Sequence, residues 1–225
     1  NPDSLTALGE RQAEAVGKRL ALHGIDEIYS SPSVRAMKTA EPLSEMIKKP
    51  INSLDWCNEA FVWNEFTVKN ESNATNWMFW DQKVKEKFTD KSIIALGNEW
   101  YRDSFFDKKV GEGVNRINTE LDKFLESFGY AHDRERGIYK VENHNEKRIA
   151  IFAHQGLSMV FFSSLLDIPY PIFSTRFDIS HSCITVVNFP KTTMGWIIPK
   201  VLQYSNDSHL YKEGLPTKYN NNFYI

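Results

Sequence analysis

The sequence is poor in cysteine and carries no excess of charge of either sign. Among its 225 residues are two cysteines, Cys57 and Cys183, and 27 basic residues against 29 acidic ones give a net charge of −2. Two thiols are too few for a disulfide scaffold or a cysteine-based zinc site, so we expect both to be reduced, in a cytoplasmic protein. Nothing in the charge totals indicates a nucleic-acid partner.

The sequence also has no long hydrophobic run. No stretch approaches the roughly 18 apolar residues that identify a membrane span, so we expect no membrane partner. Hydrophobic residues make up 41% of the chain and charged residues 25%, which are ordinary values for a globular protein. The length suits one large α/β domain, and we expect residues 1–225 to form a single domain.

The first quarter of the chain alternates between helix and strand patterns. Residues 5–22 have apolar positions at helical spacing, and residues 25–29 form a short apolar strand. Residues 33–47 predict a second helix, broken or kinked at Pro42, and residues 51–54 predict another strand. Such alternation is typical of an α/β fold with a mostly parallel sheet.

The later part of the chain returns to this alternation after a different segment. Residues 60–145 lack a convincing strand and predict a largely helical cap insertion. The continuous apolar run 149–153 predicts a central strand buried on both faces, followed by a helix over 157–166. Residues 183–189 and 196–204 predict a final antiparallel pair at one edge of the sheet.

Three chemically active side chains follow the predicted strands. Arg35 lies in the first helical turn after Ser-Ser-Pro, where an arginine beside a helix N-terminus suits a phosphate dianion. His154 follows the apolar strand and is a candidate base or hydrogen-bond donor, and Glu59 is a candidate proton donor. Glu65 competes with Glu59 on a weaker positional argument. Each residue alone has an ordinary structural explanation, but ligands of α/β sheets bind at the carboxyl ends of strands, so together they favour a phosphate site.

Aromatic residues are concentrated in the predicted insertion. Five of the six tryptophans lie between Trp56 and Trp100, and Trp77 and Trp80 flank Met-Phe. Two interpretations remain open. The rings pack the insertion onto the sheet domain, or they form a lid that selects substrates with an apolar or aromatic leaving group, which would make Trp77 and Trp80 substrate-proximal.

Three segments resemble the histidine phosphatase (phosphoglycerate-mutase-like) superfamily, in the order found there. Residues 4–13, Ser-Leu-Thr-Ala-Leu-Gly-Glu-Arg-Gln-Ala, are similar to the segment that follows the family's catalytic Arg-His-Gly motif. Residues 29–40 contain the pattern Ser-Ser-Pro-x-x-Arg-x-x-x-Thr-Ala, which is the most specific of the three matches. Residues 153–156, Ala-His-Gln-Gly, resemble the second-histidine motif.

The resemblance implies a fold and a set of roles. The fold would be a three-layer α/β sandwich whose mostly parallel sheet is flanked by helices. A phosphohistidine would form and be hydrolysed by water, without metal or cofactor. Arg35 and His154 would bind the phosphoryl group, Glu59 would protonate the leaving group, and Gln155 would add a pocket amide. His181 would lie near the pocket mouth.

The resemblance also implies residues that this sequence does not contain. The family's nucleophilic histidine and its partner arginine lie on a first strand, before a segment like residues 1–9. We expect that strand upstream of Asn1, because without it the centre of the sheet would contain an unpaired apolar gap. Gln155 departs from the small residue that many members have at this position.

Three functions are compatible with these patterns. The leading interpretation is a metal-independent phosphatase acting on a small phosphorylated substrate. A phosphoglycerate mutase is the alternative within the family, and a catalytically inactive protein that binds phosphorylated ligands is the alternative from another class. An antiparallel edge strand also makes a homodimer possible.

Overall fold

The computed structural model describes residues 4–219. The strands are β1 (Glu27–Ser30), β2 (Ile51–Ser53), β3 (Thr67–Lys69), β4 (Thr75–Trp77), β5 (Tyr130–Asp133), β6 (Ile138–Val141), β7 (Ile149–Phe152), β8 (Ile184–Asn188), β9 (Trp196–Ile197) and β10 (Lys200–Asn206). The helices are α1 (Ala7–Ala21), α2 (Val34–Ile47), α3 (Glu59–Glu65), α4 (Gln82–Lys87), α5 (Lys91–Leu96), α6 (Lys108–Glu126), α7 (Gln155–Leu166), α8 (Tyr170–Arg176) and α9 (Ser208–Lys212). Two 3₁₀ helices cover Asp55–Cys57 and Gly97–Arg102.

A parallel sheet of order β2-β1-β7 lies between two layers of helices. Ile28 of β1 is fully buried in a cluster with Leu43 of α2 and Val16 of α1. The next residue, Tyr29, points to the other face of the strand, where its ring meets Phe124 of α6 edge-on at 5.1 Å. Successive side chains of a strand face opposite sides, so the predicted sandwich with its mostly parallel sheet is confirmed.

Helices α1 and α2 pack closely against each other. The side chain of Thr6 caps α1 by accepting a hydrogen bond from the Gly9 N–H at 3.1 Å. A Cβ atom on Gly17 would lie 3.0 Å from both Pro42 Cβ and the Leu43 nitrogen, so only glycine allows this approach. The predicted break at Pro42 is not observed, and α2 runs through this residue. We attribute this to the packing against α1, which offsets the one hydrogen bond that proline removes.

Strand β7 is less buried than its apolar sequence predicted. Within residues 4–219 it pairs only with β1, and Ile149 and Ile151 are half-buried. Strand β8 pairs only with β10, in a separate sheet, and its apolar residues are half-buried too. Ile149 of β7 and Val187 of β8 pack against the same core cluster. Among the described residues, β7 and β8 thus lie in separate sheets. A further strand between them would bury the half-buried apolar residues of both strands.

The segment 60–145 contains helices α3 to α6 and also two hairpins. Strands β3 and β4 pair antiparallel, as do β5 and β6, although the sequence showed no convincing strand there. These strands are three or four residues long, so their pairing depends on tertiary contacts more than on local propensity. The helices of segment 60–145 share one aromatic core with α7. In this core Trp100 stacks on Tyr170 of α8, with the ring centroids 5.3 Å apart.

The two final strands do not form one pair. Strand β8 pairs with β10 as predicted, but β9 at the start of the predicted 196–204 strand joins β6 in another sheet. Pro199 separates β9 from β10 and has no N–H to donate to a ladder. No helix among residues 4–219 is long and apolar enough to cross a membrane.

Candidate active site

Arg35, Glu59 and His154 meet at the carboxyl edge of the parallel sheet. The Arg35 Nε–H donates a hydrogen bond to Nδ1 of His154 at 3.2 Å, and Arg35 Nη2 forms a hydrogen-bonded ion pair with Glu59 Oε2. Glu59 Oε2 lies 3.6 Å from His154 Nδ1. The three side chains that the sequence singled out are therefore mutual neighbours.

The strand ends place these side chains. Strand β1 ends at Ser30 and α2 begins at Val34, which puts Arg35 in the first turn of α2. Strand β7 ends at Phe152, and His154 is the extended N-cap residue of α7. Adjacent parallel strands end at one edge of a sheet, so the N-termini of α2 and α7 and their positive dipole ends converge there.

His154 is held as a neutral imidazole. Burial and, to a smaller extent, the nearby Arg35 charge together lower its pKa to about 4. Because a guanidinium only donates hydrogen bonds, His154 Nδ1 accepts and the ring proton resides on Nε2. That nitrogen lies 2.9 Å from the hydroxyl oxygens of both Ser31 and Ser33. The site's positive charge therefore comes from Arg35.

The pKa of Glu59 is shifted in the opposite direction. Burial raises the pKa of this carboxyl, and this effect outweighs the Arg35 charge and a hydrogen bond from the Gly156 N–H, which both lower it. Asn58 fixes the start of α3 by accepting a hydrogen bond from the Ala60 N–H at 3.0 Å. A carboxyl held protonated more readily than usual has the chemistry of a proton donor.

Glu65, the competing acid, is engaged elsewhere. Its carboxylate receives two hydrogen bonds from Arg116, at 2.7 Å from Nε and 2.6 Å from Nη2. Arg116 also donates to the backbone oxygen of Trp56 at 2.9 Å. This bidentate pair joins α3 to α6 and gives Glu65 a structural task.

Gln155 and His181 occupy less central positions. Gln155 is the first residue of α7, and its side-chain amide donates to Asp178 Oδ1 at 2.5 Å. Asp178 Oδ1 also accepts from the Ile179 N–H at 2.8 Å, so this contact ties α7 to the segment after α8. His181 lies in that segment, before β8, and its backbone N–H donates to the oxygen of Lys218 at 2.8 Å.

The two predicted substrate-proximal tryptophans differ in burial. Trp77 is 7% exposed and packs directly on α7, since a Cβ atom on Gly156 would lie 2.3 Å from its ring. Trp80 is 36% exposed, and its ring meets that of Phe79 at 5.2 Å. Trp77 thus packs the cap onto the helix that begins at His154, while Trp80 lies nearer the surface.

Three contributors were missed from sequence. Ser31 and Ser33 bind the His154 ring, and the Gly156 N–H binds Glu59. The serine hydroxyls that precede Arg35 in the sequence were a usable signal, because they lie beside a candidate phosphate site. Among residues 4–219 no group of three or more His, Cys, Asp or Glu side chains is arranged to hold a metal ion.

Comparisons with known proteins agree with this geometry. The chain matches the family model of the histidine phosphatase superfamily (branch 1) over residues 2–198. No curated protein sequence matches it significantly. Among solved structures, a mycobacterial glucosyl-3-phosphoglycerate phosphatase in complex with inorganic phosphate is similar with a TM-score of 0.56 and 16% identity, covering 92% of this chain and 89% of that one.

Two further structures share the fold. A phosphoserine phosphatase from Entamoeba histolytica, in complex with 3-phosphoglyceric acid, has a TM-score of 0.55 and 18% identity over 92% of this chain and 86% of its own. The Bacillus stearothermophilus protein YhfR has a TM-score of 0.55 and 17% identity over the same shares, 92% and 86%. Because the family model spans most of the sequence, the chain belongs to the histidine phosphatase superfamily (branch 1) and is a phosphatase of the histidine phosphatase type.

Proposed function

We propose that this protein is a metal-independent phosphomonoester hydrolase that acts on a small phosphorylated substrate through a phosphohistidine intermediate. The observation that carries the proposal is the meeting of Arg35, Glu59 and a neutral His154 at the carboxyl edge of the sheet. Two similar structures, a glucosyl-3-phosphoglycerate phosphatase and a phosphoserine phosphatase, favour hydrolysis of small phosphate esters.

Arg35 is the proposed phosphate clamp. Its side chain is 36% exposed, so solvent and substrate reach it. Contacts with His154 and Glu59 use Nε and Nη2, which leaves Nη1 to face a phosphoryl oxygen. A planar guanidinium suits phosphate because it offers parallel N–H donors.

His154 is the proposed stabiliser of the transferring group, together with the amide of Gln155. As a neutral ring it donates one hydrogen bond from Nε2, toward Ser31 and Ser33 in the ligand-free protein. A bound phosphate dianion would favour the charged imidazolium and raise the pKa of His154. The ring then donates from both nitrogens to charge that develops in the transition state.

Glu59 is the proposed acid and base. In the first step a ring nitrogen of the attacking histidine, which is a residue other than His154, bonds to phosphorus. The bond from phosphorus to the leaving oxygen breaks, and Glu59 gives its proton to that oxygen. In the second step the Glu59 carboxylate takes a proton from water as the water oxygen attacks the phosphohistidine. The bond from phosphorus to the ring nitrogen breaks, and phosphate leaves.

The attacking histidine is proposed to lie on a strand that precedes Asn1. The open edges of β7 and β8 support this, because a strand between them would bury Ile149, Ile151 and the apolar residues of β8. His154 follows β7 by two residues. Residues at the carboxyl end of a parallel strand beside β7 would therefore be next to His154.

The test is phosphate release from p-nitrophenyl phosphate in excess EDTA. The natural full-length protein, Arg35→Ala and the control Arg136→Ala, an exposed arginine in the β5–β6 turn, are compared. We expect full activity with EDTA, unchanged activity in the control and a loss of about 100-fold or more in Arg35→Ala, as for removal of one oxyanion donor. Quenched turnover should yield an acid-labile, alkali-stable phosphoenzyme.

Other results would replace the proposal with a specific alternative. Activity that EDTA abolishes and a divalent metal restores would exclude a metal-independent mechanism. Phosphoryl transfer between phosphoglycerates without phosphate release would identify a mutase. Phosphate binding without any turnover in the full-length protein would identify an inactive ligand-binding member.

A further inference from the structure

Helix α3 carries a second side chain beside the candidate proton donor. Trp63 follows Glu59 by four residues on the same helix, so the two side chains lie on one face, one turn apart. Trp63 is 38% exposed, which is a large fraction for an apolar residue of this size next to a half-buried carboxyl. A leaving group that receives a proton from Glu59 would therefore lie within reach of the Trp63 ring.

A closed set of contacts locates Trp63 on the Glu59 side of α3. The Trp63 ring meets Trp77 edge-to-face, with centroids 4.8 Å apart and planes at 89°. Trp77 packs on Gly156, and the Gly156 N–H binds the Glu59 carboxylate. The Trp63 ring, called the wall below, is thus linked to Glu59 by their spacing on α3 and by the contacts through Trp77 and Gly156.

The wall has a rigid support. Trp77 is buried and stacks on Phe79 at 5.6 Å with an interplanar angle of 18°. Phe79 in turn meets the surface ring of Trp80 at 5.2 Å. Trp63 therefore rests on a row of fixed rings, which limits the entropy it would lose on binding a ligand.

Two cations near the wall already have hydrogen-bonding partners within the protein. Arg116, the cation of α6 that reaches α3, is paired with Glu65. Lys109, the cation of α6 that reaches β3, donates its ammonium to the backbone oxygen of Thr67 at 3.0 Å. A leaving group with its own carboxylate or second phosphate gains little here, whereas an aromatic ring gains an edge or face contact.

We infer that Trp63, supported by Trp77, selects phosphomonoesters whose leaving group is a phenol. The inference rests on the proposed function, since it names the substrate class for the same site. An aromatic leaving group packs against Trp63 while its bridging oxygen faces Glu59. Trp63 is a specificity residue that touches the leaving group and takes no part in proton transfer.

A first experiment measures kcat/KM for 2-naphthyl phosphate and for glycerol 3-phosphate in the natural full-length protein and its variants. We expect Trp63→Ala to lower the value for the aryl ester about tenfold more than for the alkyl ester, the effect of losing one aromatic pair. Trp63→Phe should restore most of the loss. Phe105→Ala, at another exposed aromatic position in segment 60–145, should leave the ratio unchanged.

A second experiment needs no turnover and separates the two proposals. Benzylphosphonate and ethylphosphonate are titrated into the natural protein and Trp63→Ala, with Kd as the readout. We expect the natural protein to prefer the benzyl compound and Trp63→Ala to lose that preference. Equal Kd values for both compounds in the natural protein, no binding of either, or an unchanged preference in Trp63→Ala would each overturn the inference. Selective binding without hydrolysis would overturn only the proposed function.

Discussion

At the scale of single residues, two neighbouring groups have pKa values shifted in opposite senses. Burial lowers the pKa of His154 and raises that of Glu59, while the Arg35 charge lowers both. The result is a neutral ring and an acid that keeps its proton to higher pH than an exposed glutamate. Pairs separated in this way are typical of sites where one group donates a proton and the other does not.

Glu59→Gln tests the acid. This variant keeps the shape of the side chain and one acceptor oxygen but has no acidic proton to transfer, so substrates with poor leaving groups should suffer most. We expect kcat for an alkyl phosphate to fall about 100-fold or more, and kcat for p-nitrophenyl phosphate to fall far less.

Glu65→Gln is the matched control on the same helix. It weakens the ion pair with Arg116 and should lower the melting temperature with little change in the ratio of the two rates. Equal slowing of both substrates by Glu59→Gln would contradict its role as proton donor.

At the scale of secondary-structure elements, one of the closest contacts between segment 60–145 and α7 is made at a glycine. Gly156, in the first turn of α7, lies under the buried ring of Trp77, and any Cβ atom there would be 2.3 Å from it. A buried indole cannot move aside without disturbing Phe79, on which it stacks. The same peptide N–H binds Glu59, so cap packing and acid placement are coupled at this position.

Gly156→Ala should therefore destabilise the protein and impair catalysis together. We expect a loss of about 1–3 kcal/mol in the free energy of unfolding, the usual cost of overpacking, measured by urea denaturation. Activity on poor leaving groups should fall as Glu59 is displaced.

Gly9→Ala in α1 provides the comparison. Its new Cβ atom would meet neighbours at 3.4 Å or more, so it should be neutral or stabilising, because alanine favours helix. Wild-type stability in Gly156→Ala would show that Trp77 is not fixed there.

At the scale of the whole molecule, a buried charged cluster joins the cap helix α6 to the far end of α7. His132 has no exposed side-chain surface, and its two ring nitrogens lie 3.0 Å from Asp122 Oδ1 and 2.8 Å from Asp167 Oδ2. Arg134 pairs with Asp122, and the ring of Tyr139 stacks on His132 at 4.1 Å. A ring that donates to two carboxylates is an imidazolium.

The pH dependence of stability follows from this cluster. Burial lowers the pKa of His132, but the hydrogen bonds to Asp122 and Asp167 outweigh burial, and the net pKa is raised. A raised pKa means that the folded state holds the proton more tightly, so this stabilisation is complete below the unfolded value of about 6.5 and is lost as pH rises through the folded value. His154, with its lowered pKa, contributes the opposite slope between pH 6.5 and about 4.

The variant His132→Gln measures the pH-dependent contribution of His132 to stability. The melting-temperature difference between wild type and variant should be largest near pH 6 and should shrink at higher pH, with about 1–3 kcal/mol lost where the ring is charged. His23→Gln, at an exposed position, should leave the melting temperature unchanged at every pH. If the difference in melting temperature between the wild type and His132→Gln were constant across pH, His132 would be neutral in the folded protein.

Other expectations at this scale remain predictions. A homodimer through an antiparallel edge strand and a cytoplasmic location are inferred from the strand pattern and from the cysteine content alone. The single-domain organisation with a cap over residues 60–145 also stays a prediction, although its helices and the sheet-domain helix α7 share one aromatic core.

The sequence by itself determined the fold class and the three residues that meet at the sheet edge. Strand ends and helix starts are local features, and parallel strands bring their carboxyl ends together whatever the loops between them do. Arg35, Glu59 and His154 could therefore be selected before any distance was known. The same reasoning could not find the short hairpins of the cap or separate β9 from β10, because their pairing depends on partners distant in the sequence.

Only the tertiary structure decided what these residues can do. It showed that Arg116 binds Glu65, whereas Glu59 lies close to His154. Sequence spacing alone does not distinguish these two glutamates. It also brought Trp77 and Gly156, which are distant in sequence, against the helix that carries Glu59 and Trp63. Protonation states also belong to this level, since burial and neighbouring charges, which set the pKa values, are properties of the packed chain.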